Sequence, residues 1–205
     1  MTRYQVSRRT CLIRLLGLIS GQRIVGRLKL QKIVYLAQEF IRTSSGGHSN
    51  LDYPFDFYRY GVFSKSLAMD ASFLSRETCY LSEEPPPIED KYGPWIYDVS
   101  INDPNEFPEL DQMFGNQVEN LKRYINVLNS QEGRFLECIS TIVYLCNSDG
   151  FSYPSELCHG DRSFNKLYRE VTVLKPHLMD ENYDVLFLES IDMARNFVSR
   201  ELIRV

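Results

Sequence analysis

Apolar residues recur at helical spacing through most of this 205-residue chain, and this periodicity constrains the fold more than any other feature. The clearest run has separations of four, three, four and three residues and consists of Phe114, Val118, Leu121, Ile125 and Leu128. Similar runs predict six further helices, over about residues 7–20, 27–42, 64–76, 131–147, 163–174 and 181–200. The chain is therefore expected to be mainly α, with about seven helices.

The helical pattern breaks in the first half of the chain, where aromatic and β-branched residues are dense. The segment 55–60 ends at Gly61 and predicts a short strand. Two further β-prone segments, around Tyr80 and over 95–99, flank the proline-rich sequence EEPPPIED. Consecutive prolines exclude helix, so these segments predict an irregular hairpin that is exposed at its proline-rich end. The fold class is therefore α+β, with a small β element in the first half.

The length of the chain fits one large domain or two small ones. We expect a single domain over 1–205, because no linker or internal repeat separates the predicted elements. Its N-terminal part, 1–105, would hold helices and the β element, and its C-terminal part, 106–205, would be helical.

Charge is distributed unevenly along the chain. No Asp or Glu precedes Glu39, whereas that stretch holds eight cations: Arg3, Arg8, Arg9, Arg14, Arg23, Arg27, Lys29 and Lys32. The segment 77–111 is the reverse, with ten acids and a single cation, Lys91. Such polarity predicts either an acidic partner for the N-terminal part or an internal ionic match between the two regions.

The cysteines and the hydropathy pattern predict a cytoplasmic protein. Five cysteines occur without CxxC spacing, and Cys11, Cys138 and Cys146 fall on apolar helical faces, which is typical of buried thiols in a reducing compartment. The most apolar N-terminal run, CLIRLLGLIS, is too short to span a bilayer and is interrupted by Arg14. We therefore expect no signal peptide and no membrane segment.

Motifs of known enzyme chemistry are absent from the sequence, which contains no GxGxxG, P-loop or HExxH pattern. The three histidines, His48, His159 and His177, all fall in predicted loops. Cys158 lies next to His159, but sequence neighbours point apart and no further ligand is near. We therefore expect no catalytic residues, no metal and no cofactor, and a protein that is not an enzyme.

Two short sequences resemble a known family when they are taken together. In KLQKIVYLAQEF and FDFYRYGVFSKSL the matching residues are Lys29, Leu30, Gln31, Lys32, Tyr35, Phe57, Tyr60, Gly61 and Ser64. This pattern resembles the Panacea domain of SocA-like antitoxins and the YwgA-like proteins, although Val62 stands where the family commonly has proline. The resemblance implies a compact helical domain with a small β element. It also implies neutralisation of toxins, by binding them or presenting them for degradation, and for YwgA-like proteins a place beside genome-defence genes.

The candidate functional residues lie in these same two sequences. Cations of the second predicted helix and the aromatic segment are candidates for binding and masking a partner protein, a toxin or defence effector: Arg27, Lys29, Lys32, Tyr58, Arg59, Tyr60 and Phe63. A solvated face for the cations and a core position for the aromatic rings are the ordinary alternatives.

A second functional hypothesis is binding of nucleic acid through the N-terminal cations Arg8, Arg9, Arg14 and Arg23. If the first three helices formed a helix-turn-helix, the third would be the recognition helix. Its polar face is poor in arginine, so sequence-specific readout of DNA is less expected than protein binding.

Overall fold

A computed structural model describes residues 3–44, 51–86, 93–101, 114, 117–148, 151, 156–157 and 159–198. Contacts divide the chain into two units: the first comprises Met1–Phe57 and Phe63–Ser130, and the second comprises Tyr58–Val62 and Gln131–Val205. The helix Val118–Ser130 falls in the first unit, because it packs on another helix of that unit. The single domain over 1–205 stays a prediction.

Seven α-helices lie in the described ranges: α1 (Arg3–Leu16), α2 (Arg27–Ser44), α3 (Lys65–Glu77), α4 (Val118–Ser130), α5 (Gly133–Cys146), α6 (Arg162–Leu174) and α7 (Tyr183–Val198). The strands described with them are β1 (Arg23–Val25), β2 (Asp56–Tyr58), β3 (Gly61–Phe63), β4 (Leu81–Glu84) and β5 (Ile96–Val99). The predicted α+β class, mainly helical with a small β element in the first half, is confirmed. The first helix ends at Leu16 rather than near residue 20, and the chain continues through a separate 3-10 turn, Ser20–Gln22.

Helix α2 supplies the central buried surface of the first unit. Its apolar residues at helical spacing, among them Leu30, Ile33 and Val34, are buried, and the helix packs on α4 and β1. Phe40 of α2 stacks on Tyr124 of α4, with ring centroids 5.4 Å apart. Each such buried apolar side chain contributes about 1.5–3 kcal/mol, so this seam is a major source of stability for the first unit.

A three-stranded antiparallel sheet in the first unit has the order β1-β5-β4. In this register Tyr97 of β5 lies opposite both Ile24 of β1 and Glu83 of β4. Strands β4 and β5 are the two β-prone segments of the sequence, so their antiparallel pairing is confirmed. Of the proline-rich sequence between them, residues 83–86 are described and 87–90 lie outside the described residues.

The aromatic segment forms a hairpin and not the single strand that its composition predicts. Strands β2 and β3 pair with each other on either side of a turn at Arg59 and Tyr60. Neither turn residue has a positive φ, whereas the next residue, Gly61, has a φ of 86°. Glycine adopts this left-handed conformation without steric cost, and it lets the chain reverse at the residue where the predicted strand ends and continue into β3, which was not predicted.

Three helices build the core of the second unit. Helix α5 packs on α6 and α7, and a cluster of rings joins α6 to α7. Phe187 is the centre of that cluster, with its ring centroid 5.5 Å from that of Phe164 and 5.0 Å from that of Tyr168, both in edge-to-face geometry. Aromatic pairs of this geometry add about 0.5–1.5 kcal/mol beyond their area burial.

The cysteine predictions fall partly within the described residues. Cys11, Cys138 and Cys146 are buried, as predicted, and Cys79 is exposed. Cys158, the neighbour of His159, and His48 lie outside the described residues. No helix in the described part of the chain is both long and apolar enough to cross a membrane.

Candidate functional site

The cation that opens α2 is engaged within the first unit. Arg27 lies 2.7 Å from the Glu83 carboxylate and 3.8 Å from the centre of the Trp95 ring. Tyr97 also donates to Glu83, over 2.6 Å. Burial raises the pKa of Glu83, but the hydrogen bonds from Arg27 and Tyr97 outweigh it, so the pKa lies below its ordinary value. The predicted ionic match between the basic and acidic regions is therefore realised by Arg27.

Of the two lysines in the first turns of α2, Lys29 is half-buried and Lys32 is buried. Lys29 donates from Nζ to the carbonyl oxygen of Asn129, in the last turn of α4, where helix carbonyls lack intrahelical partners. Lys32 is only 3% exposed, so the alternative of a solvated face for the cations is wrong for Lys32. The cations at the start of α2 therefore have partners of opposite charge: Lys29 contacts the negative C-terminal end of the α4 dipole, and Arg27 pairs with Glu83 of β4.

The arginines proposed to bind nucleic acid are paired with acids of the first unit or are buried in it. Arg8 and Arg9 lie 2.9 and 2.7 Å from the two carboxylate oxygens of Asp70, a side chain that is 3% exposed. Arg14 is buried, and Arg23 lies 3.8 Å from Asp98 across the β1–β5 pairing. These contacts compete with any phosphate that would approach the same guanidinium groups.

Two glutamines of α2 fix the chain on either side of the aromatic hairpin. Gln31 accepts from the Ser64 backbone N–H over 2.9 Å and donates to the Ser64 carbonyl over 3.2 Å. Gln38 makes the same pair of bonds with Tyr53, at 2.7 and 3.0 Å. Gln31 is one of the residues that carried the family resemblance, and its position indicates a structural role for that residue.

The turn of the hairpin presents predicted site residues that are exposed, and we call Tyr58, Arg59 and Tyr60 the tyrosine tip. Tyr58 is 54% exposed and Tyr60 is 55% exposed. The guanidinium carbon of Arg59 lies 5.7 Å from the centre of the Tyr60 ring, within the range of a cation–π contact. Phe63, the remaining predicted aromatic, is half-buried in β3.

A buried lysine of the second unit contacts the backbone of the tyrosine tip. The Lys175 side chain is 0% exposed, and its Nζ lies 2.8 Å from Oε1 of Glu137 in α5. The same Nζ donates to the backbone carbonyl of Arg59 over 2.9 Å. His177 lies 3.2 Å from the same carboxylate oxygen. Burial raises the pKa of Glu137, but its contacts with Lys175 and His177 outweigh burial and lower it.

Sequence reasoning missed Lys175 and Glu137 as parts of this site. Lys175 is separated from Arg59 by 116 residues, and no periodic pattern connects them. The signal in the sequence is a lysine directly before Pro176 in the break between α6 and α7, which is an unusual position for a fully buried charge.

Comparison with known proteins places the chain in a family. It is 32% identical over 133 residues to the uncharacterized protein YwgA of Bacillus subtilis (strain 168), an alignment that covers 61% of this chain and 67% of that protein. The chain belongs to the YwgA family. No protein-family model matches it, and no solved structure matches it.

The chemistry available to this YwgA-family chain at the tyrosine tip is that of recognition. Two rings supply apolar area with polar hydroxyls, and Arg59 supplies a planar cation. Within the described residues, no three His, Cys, Asp or Glu side chains come together as a set of metal ligands.

Proposed function

We propose that this YwgA-family chain is a Panacea-like interaction module that binds a partner protein in the cytoplasm and masks its active surface. The partner would be a toxin or a defence effector, and the module itself would catalyse no reaction. The observation that carries the proposal is the exposed tyrosine tip, whose rings are 54% and 55% exposed, although tyrosine is usually more buried than this. The motif resemblance to SocA-like antitoxins supports the same reading.

The composition of the tyrosine tip suits a protein partner. Tyr and Arg are enriched at the centres of interfaces, because each covers a large area and still offers hydrogen bonds. A tyrosine also loses little conformational entropy when it is immobilised, since it has only two side-chain torsions. The Arg59 guanidinium favours a carboxylate on the partner, because that pairing can be bidentate.

The cations of α2 serve the proposed function indirectly. Arg27 and Lys29 stabilise the first unit through Glu83 and the Asn129 carbonyl, and we propose the tyrosine tip of the second unit as the interface. Binding of nucleic acid is the weaker proposal, because Arg8 and Arg9 are occupied by Asp70 and Arg14 is buried.

A test of masking combines capture with rescue of growth. Proteins that the chain retains at physiological salt in its native host are identified and then expressed alone. We expect one captured protein to arrest growth, and we expect co-expression of the chain to relieve the arrest. The double variant Tyr58→Ser/Tyr60→Ser should neither capture that protein nor relieve the growth arrest.

The matched control is Val173→Ser in α6, which also removes an exposed apolar side chain of the second unit, one that is 73% exposed. This control should behave as the wild type. Equal capture and relief by the double variant would exclude the tyrosine tip as the binding surface, and the absence of any captured protein would argue against an interaction module.

A further inference from the structure

We propose that Lys175 and Glu137 are positioning residues, which hold the tyrosine tip in the conformation that is competent to bind. The importance of this role rests on the proposed function, since a tip that binds nothing would need no fixed shape. The anchoring itself is a property of the second unit and can be tested without any partner.

The burial of Lys175 requires an explanation. An ammonium group that leaves water loses several kcal/mol of hydration, and ion pairing restores this only when the geometry and the remaining hydrogen bonds are good. Lys175 offsets part of that loss through its ion pair with Glu137 at 2.8 Å and its hydrogen bond to the Arg59 carbonyl at 2.9 Å. A break between α6 and α7 does not by itself require a charged side chain at this position. The role of Lys175 therefore lies in the groups that its ammonium contacts.

The contact with Arg59 is made to the backbone and not to its side chain. That carbonyl belongs to the peptide plane that joins Arg59 to Tyr60, at the centre of the turn. Because the peptide unit is planar, fixing its carbonyl fixes the direction in which the chain leaves Arg59 and enters Tyr60. Lys175 therefore constrains the orientation of the exposed side chains through the backbone while leaving them accessible to a partner.

Glu137 completes the arrangement by holding the lysine. Its carboxylate lies on α5, a rigid element of the second unit, and it contacts both Lys175 and His177. The chain of contacts thus runs from a helix, through a carboxylate and a buried ammonium, to the carbonyl of the turn. A tip that is ordered before binding loses less entropy on association than a mobile one.

Limited trypsin digestion tests this anchoring directly, because Arg59 is a trypsin site at the turn itself. Cleavage of the Arg59–Tyr60 bond needs only local opening of the tip, whereas cleavage after Arg169, inside α6, needs that helix to unfold. Lys175 precedes Pro176, a bond that trypsin does not cut, so substitutions at 175 remove no cleavage site. The ratio of the two cleavage rates therefore reports the order of the tip apart from the stability of α6.

We expect Lys175→Met to raise the ratio of cleavage at Arg59–Tyr60 to cleavage after Arg169 about tenfold. In this variant the tip can open without breaking the ion pair and the hydrogen bond of Lys175, so opening costs less free energy. Glu137→Gln should raise it by a smaller factor. Lys175→Arg keeps a cation and its hydrogen-bond donors, so its ratio should stay within about threefold of the wild-type ratio. Arg134→Met removes another ion pair of the second unit, with Asp180 at 2.7 Å, and should leave the ratio unchanged.

A parallel rise of both cleavage rates in Lys175→Met, with no change in their ratio, would show that Lys175 merely stabilises the second unit and would overturn the proposal. An unchanged rate at both bonds would overturn it as well. Because the assay contains no partner, a positive result stands even if masking fails. Once a partner is known, a loosened tip should weaken its capture while Arg134→Met does not.

Discussion

At the scale of single residues, partners decide whether a charge stabilises this chain. A cation at the start of a helix is mildly unfavourable on its own, yet Arg27 contacts the Trp95 ring and pairs with Glu83. Glu83 accepts a second hydrogen bond from Tyr97. One carboxylate on β4 thus satisfies a helix cation and a hydroxyl of the neighbouring strand.

The lowered pKa of Glu83 predicts a specific loss of stability in acid. Its contribution is fully present above the ordinary value of 4.5 and is lost as pH falls through the lower value of the folded state. Urea unfolding between about pH 7 and pH 3 should therefore show a shallower decline for Glu83→Gln than for the wild type. Glu84→Gln, in the same strand but exposed, should keep the decline of the wild type. Identical pH profiles for Glu83→Gln and the wild type would contradict this role.

Gly61 offers a second test at the residue scale. Its φ of 86° lies in the left-handed region, where a side chain costs about 1–2 kcal/mol. Gly61→Ala should lower the free energy of unfolding by about that amount in chemical denaturation. Gly133→Ala is the control, because that glycine begins α5 and a Cβ there meets no atom within 4 Å. The control should be neutral or slightly stabilising, and an equal effect of the two substitutions would refute the explanation.

At the scale of elements, α2 organises the first unit through polar contacts as well as apolar ones. Its two glutamines each hold a backbone N–H and carbonyl, Gln31 at Ser64 and Gln38 at Tyr53. Ser64 then caps α3 by accepting from the Leu67 N–H. One helix therefore sets where the hairpin begins and where the next helix starts.

The two glutamines predict a graded effect. The Gln31 bonds are buried and the Gln38 bonds are part-buried, so water replaces the lost partner more easily at Tyr53. Gln31→Met should cost about 2–3 kcal/mol of the free energy of unfolding, and Gln38→Met about 1 kcal/mol. Urea denaturation of both variants measures the difference. An equal or inverted order would show that these bonds do not carry the stability assigned to them.

The sequence predicted the elements that periodicity encodes and missed those fixed by long-range pairing. The helices follow from apolar spacing, and the start of α3 follows from the Ser64 cap. Strand β1 has three residues and no pattern of its own, so only its pairing with β5 defines it. The aromatic segment was predicted as one strand because its composition is uniformly β-prone, and the turn depends on the single left-handed Gly61.

At the scale of the whole molecule, the candidate site was predicted in part. Composition pointed to Tyr58, Arg59 and Tyr60 as candidate contact residues, but it placed them in a strand and not in an exposed turn. The burial of Lys32 and the anchoring by Lys175 could not be predicted, because each depends on which distant residues come together. The asymmetry of charge was informative, but sequence alone left open whether it faces a partner or the chain itself.

The engaged N-terminal arginines predict weak or absent binding to nucleic acid. With Arg8 and Arg9 on Asp70 and Arg14 buried, a duplex probe should show no electrophoretic shift near physiological salt. A shift whose log–log salt slope falls by about one for each of these arginines replaced by alanine would contradict this expectation.

The central claim is that the tyrosine tip is the surface that touches a partner protein, and site-specific photocrosslinking in the native host tests it most directly. A benzoylphenylalanine at position 60 should give one discrete adduct with a single protein, and the same group at position 173, on exposed α6, should not give that adduct. Crosslinking of the same protein from both positions, or from 173 alone, would contradict the claim.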